Sequence, residues 1–271
     1  MFKKSGVFLK ILLLAGISNV MFNMSSMEIS KENEVEGIAS RIDLASPNCY
    51  LELLADKNIT PENTVFAFDF HEVLFDRHKS EIVWRSFKLL CKCFLYLVTN
   101  PSFLPRLIEL QKQYTIFEGV NAQLVKEYPF WGQFKSDILE ISNSPCYPIE
   151  SMINLVKTLK EKGFKIFMLS NMGLETWEDF SVRFSSITEL FDGYYTPNKD
   201  NNYLGKPEIE FYEEFKNYLT SVKCGDKQIL FIDDIQENIT GALKSGIAAI
   251  HFTGYANLCK SLAELDVIVE E

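Results

Sequence analysis

The chain has 271 residues, room for one large domain or a core plus a smaller insertion, and enough to bury roughly three quarters of the surface its unfolded form exposes. A composition that is 47% hydrophobic and 13% aromatic excludes intrinsic disorder. A formal charge of −10 without a basic stripe excludes general nucleic-acid binding, which needs clustered Lys and Arg to displace counterions, but leaves room for a small phosphorylated ligand in a locally cationic cleft.

The first segment is a processing signal in outline. Lys3 and Lys4 precede an apolar run from Val7 to Phe22, interrupted by Lys10 and followed by small polar residues at Asn23 to Ser26. The run is short for a bilayer span, which takes about 20 apolar residues. Residues 1–26 are expected to be a cleaved export signal, giving a periplasmic or secreted protein; an uncleaved membrane anchor and a cytoplasmic segment are the alternatives. Membrane contact is expected only through such an anchor. Residues 27–58 read as a polar linker and lead-in, charged from Lys31 to Glu36. Cys49, Cys91, Cys93, Cys146, Cys224 and Cys259 form no C-x-x-C pair and no zinc-finger spacing, so isolated thiols are expected.

Thr64 to Phe70 (TVFAFDF) is a continuous apolar run ending in a carboxylate, the pattern of a strand buried on both faces. Similar runs recur at Phe164 to Leu169 (FKIFML), Gln228 to Ile232 (QILFI) and Ala248 to Phe252 (AAIHF), each preceded by a segment of helical spacing. Strands alternating with helices predict an α/β fold, a Rossmann-like parallel sheet with right-handed crossovers. Pro148 to Lys162 places Ile149, Met152, Leu155, Val156 and Leu159 on one helical face, with Gly163 as its stop. Pro207 to Leu219 does the same with Ile209, Phe211, Tyr212 and Phe215. The stretch 78–145 shows no strand alternation and is too long for a βα loop, which predicts a helical cap. Its most apolar piece, Phe87 to Val98, is expected to be a cap helix facing the core. The catalytic core is then 59–77 together with 146–271.

Four polar signals follow apolar strands, and ligands in open α/β sheets bind at the carboxyl ends of strands. Asp69 is a carboxylate suited to attack phosphorus if a cation offsets charge repulsion, or else a loop cap. Ser170 and Asn171 suit hydrogen bonding to a phosphoryl oxygen, or helix capping. Lys206 lies between Gly205 and Pro207, where a cation can meet nucleophile and phosphate; a lone lysine is otherwise solvated. Asp233 and Asp234 are adjacent carboxylates that repel each other without a cation, and Mg²⁺ prefers such oxygen ligands.

In their order, FDFHEVL, MLSN, GKP and FIDDIQENI resemble the four motifs of the haloacid dehalogenase (HAD) superfamily, with the insertion placed like its small helical cap; the likeness covers about residues 60–255. The resemblance implies a Mg²⁺-dependent phosphatase, close to the small-cap enzymes that act on sugar phosphates and similar metabolites. Asp69 would take the phosphoryl group and water would hydrolyse the aspartyl-phosphate. Asp69, the main-chain carbonyl of His71 and Asp234 would hold Mg²⁺, with Asp233 as a further ligand or behind it. Ser170 and the Asn171 backbone would bind phosphate and Lys206 would neutralise charge. Two departures stand out: the superfamily's second Asp is here His71, expected to act as the acid and base or else merely to pack or donate to a neighbour, and Glu72 stands where Gly is common. The alternative is a catalytically weak relative that binds a phosphorylated ligand or a protein partner; a dehalogenase, which needs no Mg²⁺, comes third. His78 and His251 are expected to be structural or surface residues.

Overall fold

The protein is described from a computed structural model, in which residues 53–54, 58–114 and 116–267 are described. The expected signal or anchor, most of the linker and Cys49 lie outside the described residues.

Five parallel strands form the main sheet in the order β5-β4-β1-β6-β7: β1 (Thr64–Phe68), β4 (Lys165–Leu169), β5 (Gly193–Tyr195), β6 (Gln228–Asp233) and β7 (Ala248–His251). β1 is central, with Val65 opposite both Lys165 and Ile229, and all five of its side chains are buried, as its unbroken apolar run demands. It stops at Phe68 rather than Phe70: the Asp69 amide still donates to Ile232 O (2.8 Å), and the chain then turns, with Leu74 N and Phe75 N both donating to Phe70 O. β5 carried no strand expectation, because three residues are too few to show periodicity.

Helices cover the sheet. α5 (Glu150–Glu161) buries Met152, Ile153, Leu155, Val156 and Leu159, and α8 (Ile209–Ser221) buries Phe211, Tyr212, Phe215 and Leu219. Both start two residues later than their prolines suggest. Pro148 is still paired with Phe75 in a ribbon, and Glu208 takes the extended cap conformation before Ile209. Gly163, at φ +93, ends α5 in the left-handed conformation, with Phe164 N donating to Leu159 O. The remaining cover is α6 (Leu174–Arg183), α7 (Ser185–Thr188), α9 (Gln236–Lys244) and α10 (Tyr255–Glu264).

The chain leaves the sheet on β2 (Phe75–Arg77) and returns on β3 (Cys146–Pro148), two strands that pair antiparallel. Between them lie α1 (Lys79–Thr99), α2 (Phe103–Gln111), α3 (Phe117–Glu127), a 3₁₀ turn at Pro129–Phe134 and α4 (Lys135–Asn143). These helices have their own apolar core, including Leu89, Phe103, Leu110, Leu124 and Trp131. Since β2 starts and antiparallel β3 ends at the carboxyl edge of the sheet, the insertion must sit over that edge. Only a narrow face of α1 turns inward, with Leu89 and Cys93 buried. With Leu90, Tyr96 and Leu97 packed against the insertion's core, one side of the apolar piece faces that core as expected, while Phe87, Phe94, Leu95 and Val98 are exposed on the other. A single helix packed on one side can bury about a third of its circumference, and this one is apolar on more than that. Among the described residues no helix is long and apolar enough to cross a membrane.

Candidate active site

Parallel strands β4, β1 and β6 are neighbours, so their carboxyl ends bring Ser170, Asp69 and Asp233 side by side. Lys206 reaches them from the loop between β5 and α8. Its Nζ lies 2.8 Å from Asp69 Oδ1 and 2.6 Å from Asp233 Oδ2, and the side chain is buried. Burial works against its charge, but Asp233 and Asp69 outweigh this and its pKa is raised, so it is a fixed cation. The Asn171 side chain positions it: Oδ1 accepts from Lys206 N (2.7 Å) and Nδ2 donates to Lys206 O (2.8 Å). Asn171 therefore spends its amide on the lysine's backbone.

Asp233 and Asp234 divide in role, where the resemblance leaves Asp233 as either a further ligand or a residue behind the site. Asp233 is fully buried and its two oxygens accept from Lys206, from Asn238 Nδ2 (3.0 and 3.1 Å) and from Ile235 N (2.8 Å), which fills a carboxylate's usual capacity. Asn238 is held in turn, its main-chain carbonyl accepting from buried Tyr212 (2.7 Å). Asp234 instead lines a cavity of about 410 Å³ together with Asp69, His71, Ser170, Asn171 and Lys206. His251 stands behind it, Nε2 lying 2.9 Å from Asp234 O. His78 stacks on Tyr147 (4.4 Å) and is not part of the cavity wall.

Carboxylate oxygens of Asp69, Asp233 and Asp234 lie within 4.8 Å of one another. Burial pushes the Asp69 carboxyl up, Lys206 pulls it down and Asp233 pushes it up again, to about 6. Burial, with Asp69 and Asp233 nearby, pushes Asp234 up to about 7. Three acids against one lysine leave an excess of negative charge that a hard, oxygen-seeking divalent cation fits. Of the three, Asp69 and Asp234 line the cavity.

His71 also lines the cavity, its ring edge-on to Phe70 (4.9 Å) and its Nε2 buried without a hydrogen-bond partner. Burial, then the charges of Arg77 and Lys206, hold its pKa well below the usual value, so the ring is neutral. Glu72 sits at φ 60, in the left-handed region, with its amide donating to Phe75 O (2.7 Å) and its carboxylate 3.3 Å from Arg77. A Gly there would take that conformation without strain. Ser170 Oγ accepts from Met172 N (3.2 Å), which leaves its own proton to donate into the cavity.

Sequence reasoning missed the insertion's share of the site. Glu118 on α3 reaches down to the start of α6, where Oε2 accepts from Glu175 N (3.2 Å), and Lys135 pairs with Glu175 (2.9 Å). Gly173 permits this approach, since a Cβ there would fall 2.0 Å from Glu118 Oε2. Burial and the charge of Glu175 push Glu118 up to about 7. A lone Glu in a polar-faced helix carries no signal in sequence, because only tertiary contact buries it.

Fold and site together define an α/β protein with an oxygen-lined acidic centre under a helical insertion. Residues 66–252 match the family model described as haloacid dehalogenase-like hydrolase, and the chain belongs to that family. It is similar to the sesquiterpene phosphatase astK of Aspergillus oryzae (strain ATCC 42149 / RIB 40), 26% identical over 118 residues, 44% of this chain and 57% of that one. The chain thus spans little more than half the length of that relative. Among solved structures it is similar to the HAD family enzyme bt-2542 of Bacteroides thetaiotaomicron (18% identity, TM-score 0.49, 73% of this chain and 98% of that one). Another is the HAD-hydrolase YfnB of Bacillus subtilis bound to magnesium (15%, TM-score 0.49, 69% and 87%). A third is the L-2-haloacid dehalogenase of Xanthobacter autotrophicus (16%, TM-score 0.47, 78% and 85%).

Proposed function

We propose that the protein is a Mg²⁺-dependent phosphatase that hydrolyses a small phosphorylated molecule through an aspartyl-phosphate. The observation that carries this reading is buried Lys206 bonded to both Asp69 and Asp233 beside Asp234, at the floor of a cavity. A lysine aimed at a carboxylate is what a nucleophile needs if its partner is a phosphate dianion. The likeness to a phosphatase over 118 residues supports a phosphate ester as substrate.

Asp69 and Asp234, with the His71 carbonyl, would hold Mg²⁺, and Asp233 would keep Lys206 in place. The cation, when bound, offsets the repulsion between carboxylate and phosphate and draws charge from the phosphoryl oxygens. Ser170 donates its hydroxyl proton to one of those oxygens, and Lys206 neutralises the charge that develops on another. Asp69 attacks phosphorus as the ester P–O bond breaks. The arriving dianion opposes the effect of Arg77 and Lys206 on His71 and favours the imidazolium, which gives its proton to the leaving oxygen. The neutral ring then takes a proton from water as that water attacks the aspartyl-phosphate, releasing phosphate and restoring Asp69.

A second reading, a catalytically weak relative that binds a phosphorylated ligand or a protein partner, is favoured by the low pKa of His71 and its unpartnered Nε2. Hydrolysis of a generic aryl phosphate with Mg²⁺, with chelator, and with Asp69→Asn as blank separates the two. Metal-dependent turnover absent from the blank is the expected result. Turnover equal to the blank would sink the phosphatase reading in favour of the second.

A further inference from the structure

The cavity above Asp69 has a volume of about 410 Å³, within the range of small-molecule sites, and its two halves differ in chemistry. The floor is ionic. The insertion supplies the apolar lining residues Ile82, Ile116, Phe117, Ile138, Leu139 and Ile141, with polar residues interspersed. Polar side chains beside this apolar wall are largely engaged with one another. Asn121 Oδ1 accepts from Trp131 Nε1 (2.8 Å), Ser142 Oγ donates to Ile138 O (3.1 Å), Lys135 is paired with Glu175 and Arg77 with Glu72. Glu118 accepts from the start of α6. Beside the wall, Lys79, the Thr176 hydroxyl and the Asn121 amide nitrogen remain, and on the floor His71 Nε2 is unpartnered.

A polyol held there would trade several hydroxyl–water bonds for contact with alkyl groups. Each stranded hydroxyl lowers affinity by about tenfold. Each methylene moved from water onto such a wall raises affinity about threefold to fourfold. We infer that the ester handled at this site joins phosphate to an apolar alcohol, a hydrocarbon chain or ring lying against the isoleucine-rich wall of the insertion while its phosphate meets Asp69, Ser170 and Lys206. The inference rests on the phosphoester reading of the floor and replaces a sugar phosphate as the substrate. Hydrolysis breaks the P–O bond to the alcohol, which leaves with one proton; water supplies the hydroxyl that completes inorganic phosphate.

The test is calorimetric titration of the full chain, with Mg²⁺, by ethyl-, butyl- and octylphosphonate, which share a headgroup and resist hydrolysis, each repeated in the presence of inorganic phosphate. Release of phosphate from octyl phosphate and from sorbitol 6-phosphate is measured alongside. Affinity is expected to rise at least thirtyfold from ethyl to octyl, to be competed by phosphate, and to lose most of that gain in Ile138→Gln. Octyl phosphate is expected to exceed sorbitol 6-phosphate at least a hundredfold in kcat/KM. Equal affinity along the series, or octyl binding that phosphate does not displace, overturns the inference, even if both esters are hydrolysed and the phosphatase reading stands. A graded, phosphate-competed series without hydrolysis of either ester upholds the apolar wall and removes the phosphatase reading. Should Ile138→Gln fail to fold, the wild-type series decides alone.

Discussion

Asp233 and Asp234 are adjacent in sequence and alike in chemistry, yet burial and bonding give them opposite consequences on removal. Asp233→Asn leaves buried Lys206 with Asp69 as its sole anionic partner and puts an NH2 donor where Oδ2 accepts from Lys206 and Asn238, while the remaining oxygen can still accept from Ile235 N. Removing one member of a buried ion pair costs about 3–5 kcal/mol, and the urea midpoint is expected to fall accordingly. Asp234→Asn removes a carboxylate whose charge is penalised by burial and by two neighbouring acids, so stability is expected to hold or rise while Mg²⁺-dependent activity falls at least a hundredfold. Similar losses of stability in both variants would contradict the division of roles. Glu72 presents a second residue-level balance. Glu72→Gly removes a left-handed non-glycine conformation worth about 1–2 kcal/mol and gives up a partly exposed pair with Arg77 worth at most about 1 kcal/mol. The urea midpoint should therefore stay level or rise slightly, and KM for an aryl phosphate should fall as an anion leaves the cavity.

Between elements, the contact that matters most is α3 against the start of α6. Glu118 accepts from the first turn of α6, yet its carboxyl is pushed up to about 7 because burial and Glu175 together outweigh those bonds. In the unfolded chain its pKa returns to the ordinary 4.5. The folded state thus holds this proton over a pH range in which the unfolded state has released it, and stability falls as pH rises from about 4.5 to about 7, then levels. Glu118→Gln should flatten that slope by roughly 1–3 kcal/mol across the window, read as the difference in urea midpoints between wild type and variant at each pH with Mg²⁺ present throughout. Identical slopes would place the carboxylate in solvent. The exposed outer face of α1 belongs to this scale too: its apolar residues exceed what one packing surface can cover, so the run from Phe87 to Val98 faces the insertion's core on one side and solvent on the other.

For the molecule as a whole, the excess of buried acid at the sheet edge sets how stability responds to metal. A cation that binds the folded state alone stabilises by about 2.7 kcal/mol at a hundred times its Kd. The thermal midpoint is expected to rise with Mg²⁺ and return on chelation in the wild type, with no such rise in Asp234→Asn; an equal rise in both would locate the metal elsewhere. The parallel sheet was legible through β1, β4, β6 and β7, whose apolar runs reflect burial, whereas β5, three residues long and partly exposed, left no such signal. Asp69, Ser170 and Lys206 were legible for the same reason, being the polar residues that follow such runs or precede a covering helix. What the amino-acid sequence determined by itself was local and periodic: the α/β class, the helical insertion, and the family to which the motifs belong. Only the tertiary structure decided that Asp233 lies behind the cavity bonded to Lys206, that Asn171 serves the lysine's backbone, that Glu118 meets α6 through Gly173, and that an isoleucine-rich wall accompanies the ionic floor. Those outcomes depend on burial and distance between residues far apart in the chain, and neither quantity is carried by composition or spacing.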